Sequence, residues 1–211
     1  MIKPMLLCCG AALASITLCQ TGLGQDAGLY DKEVDPSKAY VRVLLEDGEQ
    51  ASIGGAPAGL ADEQVSGYVS VAAGSVAIGF GDAITDLPVE AGTYYTFARV
   101  SDAVIQFTDP AIADPSKAEI LFYNLTSRAD VDLFVPAAKT DAITGVDAGA
   151  SQSVELRAPL DLTFEAHVDG TAIASVANVA LERKQAVSLF LVDDVAGPTL
   201  FQIVNSFAEP R

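Results

Sequence analysis

Several segments of the chain place apolar residues at every second position. In residues 160–169 the even-numbered positions are apolar, whereas the odd-numbered positions are polar or charged. Residues 130–135 and 76–80 carry apolar residues at alternate positions over shorter distances. Such alternation is typical of an antiparallel β-strand with one buried face. Residues 186–192 are apolar at almost every position, which is typical of a central strand covered on both faces.

Short turn-forming pairs separate these strand-like runs. Glycine and proline in such pairs favour tight turns between strands. No segment of the sequence shows the period of about 3.6 residues that marks an amphipathic helix. The pattern therefore predicts an all-β protein made of short strands. The turn-forming pairs are Asp47-Gly48, Gly54-Gly55, Gly81-Asp82, Ala91-Gly92, Asp169-Gly170 and Gly197-Pro198.

The chain also contains an internal repeat. The tetrapeptide Pro-Ser-Lys-Ala occurs twice, and each copy is followed at once by an apolar, strand-like run. Two further segments recur in the same order, with an offset that grows along the chain. A constant order with a growing offset indicates a duplicated domain with loop insertions in its second copy. The corresponding segments are 36–39 and 115–118, 76–80 and 160–164, and 89–97 and 181–189.

These patterns together predict two tandem small antiparallel β-sandwich domains. The first spans residues 25–108 and the second spans residues 116–211, and each is large enough to support a core of its own. The linker between them is residues 109–115, in which Pro110 and Pro115 favour a short, stiff connection.

The first 24 residues have the pattern of a secretory signal peptide. Lys3 precedes an apolar run over residues 5–18, and the small residues Gly22 and Gly24 occupy the −3 and −1 positions of a cleavage site before Gln25. This run is shorter than the about 20 residues that a membrane-spanning helix needs. A lipoprotein signal at Cys19 is a less favoured alternative, because Leu18 precedes it where a small residue is expected. The segment 1–24 is therefore expected to be removed during export of the protein.

Removal of this segment would leave a chain without cysteine and with a strong acidic excess. The whole sequence has 211 residues, 28 acidic and 12 basic side chains, and a net charge of −16. Loss of Lys3 changes this charge to −17. Such a surface repels nucleic acids, anionic lipids and acidic polysaccharides. The classes that remain are a neutral ligand, a basic partner protein or a metal such as calcium.

The sequence contains no recognisable catalytic machinery. The single histidine, His167, lies on the polar side of residues 160–169 and is expected to be a solvated surface residue. Nucleophile elbows, phosphate-binding loops and His-Glu-x-x-His motifs do not occur. We therefore expect no enzyme activity, no catalytic residues, no cofactor and no metal. Calcium at Asp169-Gly170 or Asp193-Asp194 stays a weaker alternative, because the spacing of a calcium-binding loop is missing.

Tyrosine is the remaining candidate for ligand binding, because the chain has no tryptophan. Five tyrosines lie in or beside apolar runs and are expected to pack in the core or at its edge. Tyr30 differs because it precedes the first strand-like run, so it belongs either to an edge strand or to a docking segment. Leu29, Tyr30 and Asp31 are therefore the candidate partner-binding residues.

Three segments resemble one known family. Leu29-Tyr30-Asp31 followed by residues 40–43 resembles the start of AlgF, a family of alginate O-acetylation proteins. Residues 117–126 resemble that family's lysine-to-Phe-Tyr-Asn-Leu stretch, and residues 179–190 resemble its Leu-Glu-Arg and Ser-Leu-Phe segment. The resemblance implies a periplasmic, non-catalytic accessory protein that is required for O-acetylation of alginate or a related exopolysaccharide.

The same resemblance implies particular partners. They are periplasmic O-acetyltransferases and a membrane-bound O-acyltransferase, with no nucleic acid and with weak or no direct binding of the polymer. Two other classes of function remain open. The protein could be a secreted carbohydrate-binding or adhesion module, or it could carry acetyl groups transiently on a serine or threonine. A β-sandwich fold alone does not separate these classes.

Overall fold

The computed structural model describes residues 34–45, 49–60, 64–100, 103–111 and 114–208. These residues form sixteen β-strands and, within the described ranges, no helix. No helix that could cross a membrane is found among them. The predicted signal peptide and the candidate residues Leu29, Tyr30 and Asp31 lie outside the described residues.

The first eight strands form two four-stranded sheets that pack face to face. One sheet has the order β4-β1-β7-β8, and the other has the order β3-β2-β5-β6. Their shared core contains Val41, Val43, Ile78, Phe80 and Phe97, each at most 1% exposed. The strands are β1 (Lys38–Leu44), β2 (Ala51–Ile53), β3 (Ala56–Pro57), β4 (Val69–Ala72), β5 (Gly74–Phe80), β6 (Ala83–Val89), β7 (Tyr94–Val100) and β8 (Ala103–Asp109).

The second eight strands repeat this arrangement. Their two sheets have the orders β12-β9-β15-β16 and β11-β10-β13-β14, which match the first pair strand for strand. The fold is therefore all-β with two tandem sandwiches, as the alternation predicts. The strands are β9 (Lys117–Asn124), β10 (Val131–Val135), β11 (Thr140–Val146), β12 (Ala150–Arg157), β13 (Leu160–Val168), β14 (Thr171–Leu181), β15 (Ala186–Asp194) and β16 (Gly197–Val204).

The sequence repeat falls on equivalent strands of the two sandwiches. Before β1, the backbone N–H and hydroxyl of Ser37 both donate to Asp35 Oδ1, at 2.9 and 2.7 Å. Before β9, Ser116 donates to Asp114 Oδ1 in the same way and at the same distances. The side chain of the aspartate thus imitates a backbone turn, and the same turn starts both sandwiches. The predicted linker, 109–115, begins at the last residue of β8 and ends before β9.

Each sandwich contains one parallel pair of strands among its antiparallel pairs. Strand β1 pairs with β7 in parallel, and β9 pairs with β15 in parallel. The alternation of apolar residues predicts strands but does not show which distant strands pair. The predicted antiparallel arrangement therefore holds for the other pairs and not for these two.

One sheet of each sandwich faces the other sandwich, and these two sheets pack against each other. Each sandwich has its own apolar core, and a separate apolar cluster joins residues of β1, β7 and β8 to residues of β9, β15 and β16. Strand β15 consequently lies between two cores, which explains why its apolar residues occupy both faces. The buried members of this junction cluster are Leu44, Val65, Ala98, Phe107, Leu121, Tyr123, Leu125, Ala186, Phe190 and Ile203.

Candidate functional site at the domain junction

The junction between the sandwiches buries one arginine. Val41 and Val43 of strand β1 point into the core of the first sandwich. Because successive side chains of a strand point to opposite faces, Arg42 and Leu44 face the second sandwich. Arg42 is 1% exposed, which makes it one of the largest fully buried side chains of the described residues. A buried cation is costly unless its charge and its hydrogen bonds are matched, so its partners define the site.

Four side chains accept hydrogen bonds from the guanidinium of Arg42. Its Nε donates to Thr96 Oγ1 at 2.8 Å, within the first sandwich. Its Nη1 donates to Asn205 Oδ1 at 2.7 Å, and its Nη2 donates to Ser188 Oγ at 2.7 Å and to Tyr123 OH at 3.0 Å. Three of the four acceptors belong to the second half of the chain. The arginine therefore crosses the junction with most of its hydrogen bonds.

Asp109, the last residue of β8, supplies the matching negative charge. Its Oδ2 lies 4.0 Å from Arg42 Nη2, and both residues are nearly inaccessible to water. The same Oδ2 accepts hydrogen bonds from Tyr68 OH at 2.6 Å and from Thr96 Oγ1 at 2.5 Å. Its Oδ1 accepts a hydrogen bond from Tyr123 OH at 2.6 Å. Hydroxyl groups thus connect the two charges into one continuous network.

Aromatic rings enclose this network. The guanidinium carbon of Arg42 lies 4.6 Å from the centre of the Tyr68 ring and 5.6 Å from that of Phe190. A cation over an aromatic face is attracted by the ring quadrupole, and more strongly where water is excluded. Tyr123 stacks on Phe190, with ring centres 4.6 Å apart. The rings therefore both hold the cation and exclude water from it.

Burial sets the protonation of the groups in the network. Burial raises the pKa of Tyr123 and raises the pKa of Tyr68 well above its ordinary value. Burial alone would lower the pKa of Arg42, but the oxygens of Tyr68, Tyr123 and Asp109 raise it above its ordinary value. Both phenols therefore stay protonated as hydrogen-bond donors, and the guanidinium stays charged.

The segment after β16 attaches the second sandwich to the first. Tyr68 donates its backbone N–H to the Ser206 carbonyl oxygen at 2.8 Å, and Ala208 donates to the Tyr68 carbonyl oxygen at 2.9 Å. A Cβ atom on Gly67 would lie only 2.6 Å from the backbone nitrogen of Ala208, so this approach requires glycine. Phe207 packs against the ring of Tyr40, with ring centres 5.4 Å apart. Residues 205–208 thus form a strap across the junction, called the C-terminal strap below.

A cleft opens at the side of the junction next to this network. Its volume is about 310 Å³, and it lies between the end of β8 and the edge strand β12. Its floor is buried, whereas Thr108, Gln152 and Ser153 at its rim are exposed. The residues that line it are Thr108, Asp109, Pro110, Leu121, Tyr123, Ser151, Gln152 and Ser153.

The residues singled out from the sequence do not form one site in the structure. Leu29, Tyr30 and Asp31 are not described, so their predicted role stays a prediction. The five other tyrosines are buried, as the sequence analysis predicts: Tyr40, Tyr68, Tyr94, Tyr95 and Tyr123. Two of them, Tyr68 and Tyr123, also contribute hydroxyl groups to the junction network.

His167 is more covered than the sequence analysis predicts. Its side chain is 14% exposed, and its Nε2 lies 2.9 Å from Glu165 Oε2. The ring also stacks on Phe134, with ring centres 4.7 Å apart. The expectation of a solvated histidine is wrong because Phe134 interrupts the alternation in β10 and places an aromatic ring on the polar face.

The described residues contain no group of three or more histidine, cysteine, aspartate or glutamate side chains that could hold a metal ion. Asp193, one of the carboxylates considered for calcium, instead pairs with Arg128. Asp169 and Gly170 form the turn between β13 and β14, both with positive φ angles. The alternative of a calcium site at these two places therefore gains no support from their geometry.

The residues of the junction network were not recognised from the sequence. Arg42 is the only charged residue of an otherwise apolar run, and that isolation is the one signal that could have pointed to it. Asp109 was assigned to the linker, although it is the last residue of β8. Thr96, Ser188 and Asn205 carry no signal of their own, because small polar residues in strands are common.

No protein-family profile matches the chain, and no curated protein is similar to it at a significant level. The fold and the site define a two-domain all-β protein whose facing sheets are joined by a buried polar network.

Proposed function

We propose that the protein is a non-catalytic periplasmic accessory protein that links acetyltransferase components during O-acetylation of alginate or a related exopolysaccharide. The partners in this proposal are periplasmic O-acetyltransferases and a membrane-bound O-acyltransferase. The proposal starts from the resemblance of residues 117–126 and 179–190 to the AlgF family. The first of these segments contains β9 and the second contains the start of β15, the two central strands of the facing sheet.

The observation that carries the proposal is the construction of the junction. A protein that links two partners acts best when its binding surfaces keep one relative orientation. The bonds from Arg42 to Tyr123, Ser188 and Asn205 favour one orientation of the two sandwiches, because any other orientation takes three of its four acceptors away from the guanidinium. The junction is therefore suited to a rigid connector.

Charge and aromatic burial support protein partners over the polymer itself. A chain with a net charge of −16 repels a polyuronate over about 8 Å at physiological salt. The five described tyrosines are buried, so their rings are not offered to a sugar. These two features make a general carbohydrate-binding surface the weaker alternative.

The test is the O-acetyl content of polymer secreted by cells that lack the gene, with polymer yield measured in the same cultures. We expect acetylation to fall while the yield is unchanged, and expression of the intact chain to restore acetylation. The tagged protein should also recover an acetyltransferase subunit from periplasmic extracts. Unchanged acetylation and no recovered acetyltransferase would together refute the proposal.

The two alternatives predict different results in the same strains. A carbohydrate-binding module would retain affinity for the polymer at high salt and would leave acetylation unchanged in the mutant. A protein that carries acetyl groups would gain the mass of one acetyl group under acetyl-donating conditions, as intact-mass spectrometry would detect. The accessory proposal expects neither result.

A further inference from the structure

The cleft beside the junction occupies, in the second sandwich, the place that corresponds to the contact of the C-terminal strap with the first. Arg42 of β1 and Leu121 of β9 lie at the same distance from the first residue of their Pro-Ser-Lys-Ala segments, so they are equivalent. Tyr68 immediately precedes β4, and Ser153 has the matching position in β12, given the register of the two equivalent strand pairs. The duplication therefore relates the residues around Tyr68 to the residues that line the cleft.

The chain that leaves each sandwich passes this place. In both sandwiches a hydroxyl group of a central strand donates to the side chain at the end of the next strand. Thr96 donates to Asp109 Oδ2 at 2.5 Å, and Ser188 donates to Asn205 Oδ1 at 2.8 Å. The chain after Asp109 thus corresponds to the chain after Asn205, which forms the rest of the C-terminal strap. Pro110, in the cleft lining, is the first residue of that stretch.

The two equivalent places are filled differently. On the strap side, the ring of Tyr68 and the guanidinium of Arg42 lie against each other, with 4.6 Å between the guanidinium carbon and the ring centre. At the cleft, Ser153 and Leu121 have these two positions, and both side chains are smaller. The cleft of about 310 Å³ is therefore space that larger side chains fill in the first sandwich.

The backbone also leaves this space open. Gly67 allows the strap to approach β4 closely, because a Cβ there would lie 2.6 Å from the Ala208 nitrogen. Gln152 has the equivalent position in β12, and its side chain prevents so close an approach. Phe207 packs the strap among aromatic rings, whereas the linker has Ala111 at that position. No backbone hydrogen bond joins the described linker residues to β12, so the two stay apart.

The lining combines an apolar floor with an uncharged rim. Leu121 and Tyr123 are buried at the floor. Asp109 is the one charged residue of the lining, and it is buried and paired with Arg42, so the cleft offers no free charge. The rim consists of uncharged polar side chains: Thr108, Ser151, Gln152 and Ser153. Such a lining suits an uncharged, mostly apolar group that ends in no more than a hydroxyl.

The described surface of the protein does not itself offer such a group. None of the tyrosine and phenylalanine side chains within the described ranges is exposed, so the described part of a second copy has no ring to insert. A ring that enters the cleft from outside therefore comes from a different polypeptide.

We propose that the cleft is a docking site for one tyrosine or phenylalanine side chain of a partner protein. The ring takes the place that Tyr68 has in the first sandwich and packs on Leu121 and Pro110, while a tyrosine hydroxyl bonds to the hydroxyl groups at the rim. Aromatic side chains suit such a site, because they bury a large area with few rotatable bonds. This docking site is independent of which polymer the partner acts on.

The test uses the whole chain without its signal segment and a small probe. Nα-acetyl-tyrosine amide is titrated into isotope-labelled protein, and backbone amide signals are followed by NMR. We expect saturable shifts at Thr108, Leu121 and residues 151–153, with a dissociation constant on the order of millimolar. The alanine analogue has the same backbone without the ring, and we expect it to bind at least about tenfold more weakly.

Two variants test whether the cleft is the binding site. Ser153→Tyr supplies the ring that the equivalent position of the first sandwich has, and Ser151→Phe fills the cleft from the neighbouring rim position. Either alone suffices if the other fails to fold. Each should weaken probe binding at least about tenfold, because the space is occupied. Ser175→Tyr, at an exposed position of β14, adds the same ring elsewhere and should leave binding unchanged.

Other occupants of the cleft give other results. Methyl glucoside tests a sugar ring, and shifts at the cleft with this sugar but not with the tyrosine probe would overturn the proposal. If Tyr30 of the chain itself fills the cleft, Tyr30→Ala will strengthen probe binding, and that result would overturn a partner protein as the source of the ring.

Three further results would also contradict an aromatic docking site. They are equal binding of the alanine analogue, unchanged binding in both folded cleft variants, and shifts that lie away from the cleft. None of these outcomes depends on acetylation of the polymer, so this proposal and the proposed function can fail independently.

Discussion

At the scale of single residues, Arg42 is the most informative position of the chain. It lies in an apolar strand between Val41 and Val43, and its charge is balanced by Asp109 across 4.0 Å. Buried ion pairs are not strong evidence of stability, because two charges must be removed from water. They are costly to break, however, since removal of one partner leaves the other charge buried and unpaired.

Replacement of Arg42 by methionine should therefore destabilise the protein strongly. Arg42→Met leaves the Asp109 carboxylate without its cation, and we expect a loss of about 3–5 kcal/mol in the free energy of unfolding in urea. Arg128→Met is the matched control, because Arg128 pairs with Asp193 at the surface and should cost less than about 1 kcal/mol.

The double variant distinguishes a broken charge pair from a lost side chain. Arg42→Met combined with Asp109→Leu removes both charges, so it should recover part of the stability that Arg42→Met loses. The loss of stability in the double variant could instead equal the sum of the losses in the Arg42→Met and Asp109→Leu single variants. In that case the Arg42–Asp109 pair is not the source of the destabilisation.

Glu119 gives a second prediction at this scale. Its pKa is raised by burial, so the folded protein keeps the proton that the unfolded chain has already released. The ionised carboxylate therefore destabilises the fold progressively as the pH rises above about 4.3, the ordinary value for glutamate. Glu119→Gln should raise the melting temperature at pH 7 and leave it nearly unchanged at pH 3.5. An equal effect at both pH values would argue for a packing change instead of a titration.

At the scale of elements, the C-terminal strap is the contact that the strand pattern does not account for. Residues 205–208 are outside the regular strands, yet they hydrogen-bond to both the backbone N–H and the carbonyl oxygen of Tyr68. Gly67 allows this contact because its missing Cβ leaves room for Ala208. The strap therefore adds backbone hydrogen bonds to the side-chain bonds of Arg42.

Replacement of Gly67 should loosen the strap. In Gly67→Ala the new Cβ would lie 2.6 Å from the Ala208 nitrogen, so the backbone of the strap must move. Overpacking of this kind costs about 1–3 kcal/mol. Hydrogen exchange of the Tyr68 and Ala208 amides should become faster, whereas Ser206→Ala, which keeps the backbone contacts, should leave it unchanged. Unaltered exchange in Gly67→Ala would show that the strap adjusts without loss.

At the scale of the whole molecule, the two sandwiches share one buried junction. Its apolar cluster includes Leu44, Ala98 and Phe107 from the first sandwich and Leu121 and Phe190 from the second. Separation of the sandwiches would expose these side chains and remove the hydrogen bonds of Arg42 to Tyr123, Ser188 and Asn205. The two domains are therefore expected to unfold together, although each has its own core.

Urea unfolding should show one transition for the intact chain. Circular dichroism reports on both sandwiches, while tyrosine fluorescence is dominated by the first, which contains Tyr40, Tyr68, Tyr94 and Tyr95. The two curves should coincide. Ala98→Asp, which buries an unpaired carboxylate in the junction, should separate them, and Ser175→Asp on β14 should not. Separate transitions in the unchanged protein would contradict a cooperative junction.

Local patterns in the sequence determined much of the fold. The alternation in residues 160–169 predicts β13, and the apolar run 186–192 predicts β15 as a central strand, because side-chain direction in a strand repeats every two residues. The repeated Pro-Ser-Lys-Ala segments indicated the duplication, which the identical strand orders of the two sandwiches match. These features depend on neighbours in the chain and can be recognised without the tertiary structure.

The junction was decided only by the tertiary structure. Arg42 and Asn205 are separated by 163 positions in the chain, and Arg42 and Ser188 by 146. A serine or asparagine in a strand does not indicate which distant residue it will bind, and Asp109 looked like part of a linker. The sequence alone determined the strands and their repetition, because their signals are local. The packing of the two sandwiches determined which polar residues meet, because burial and hydrogen bonding depend on distance in space.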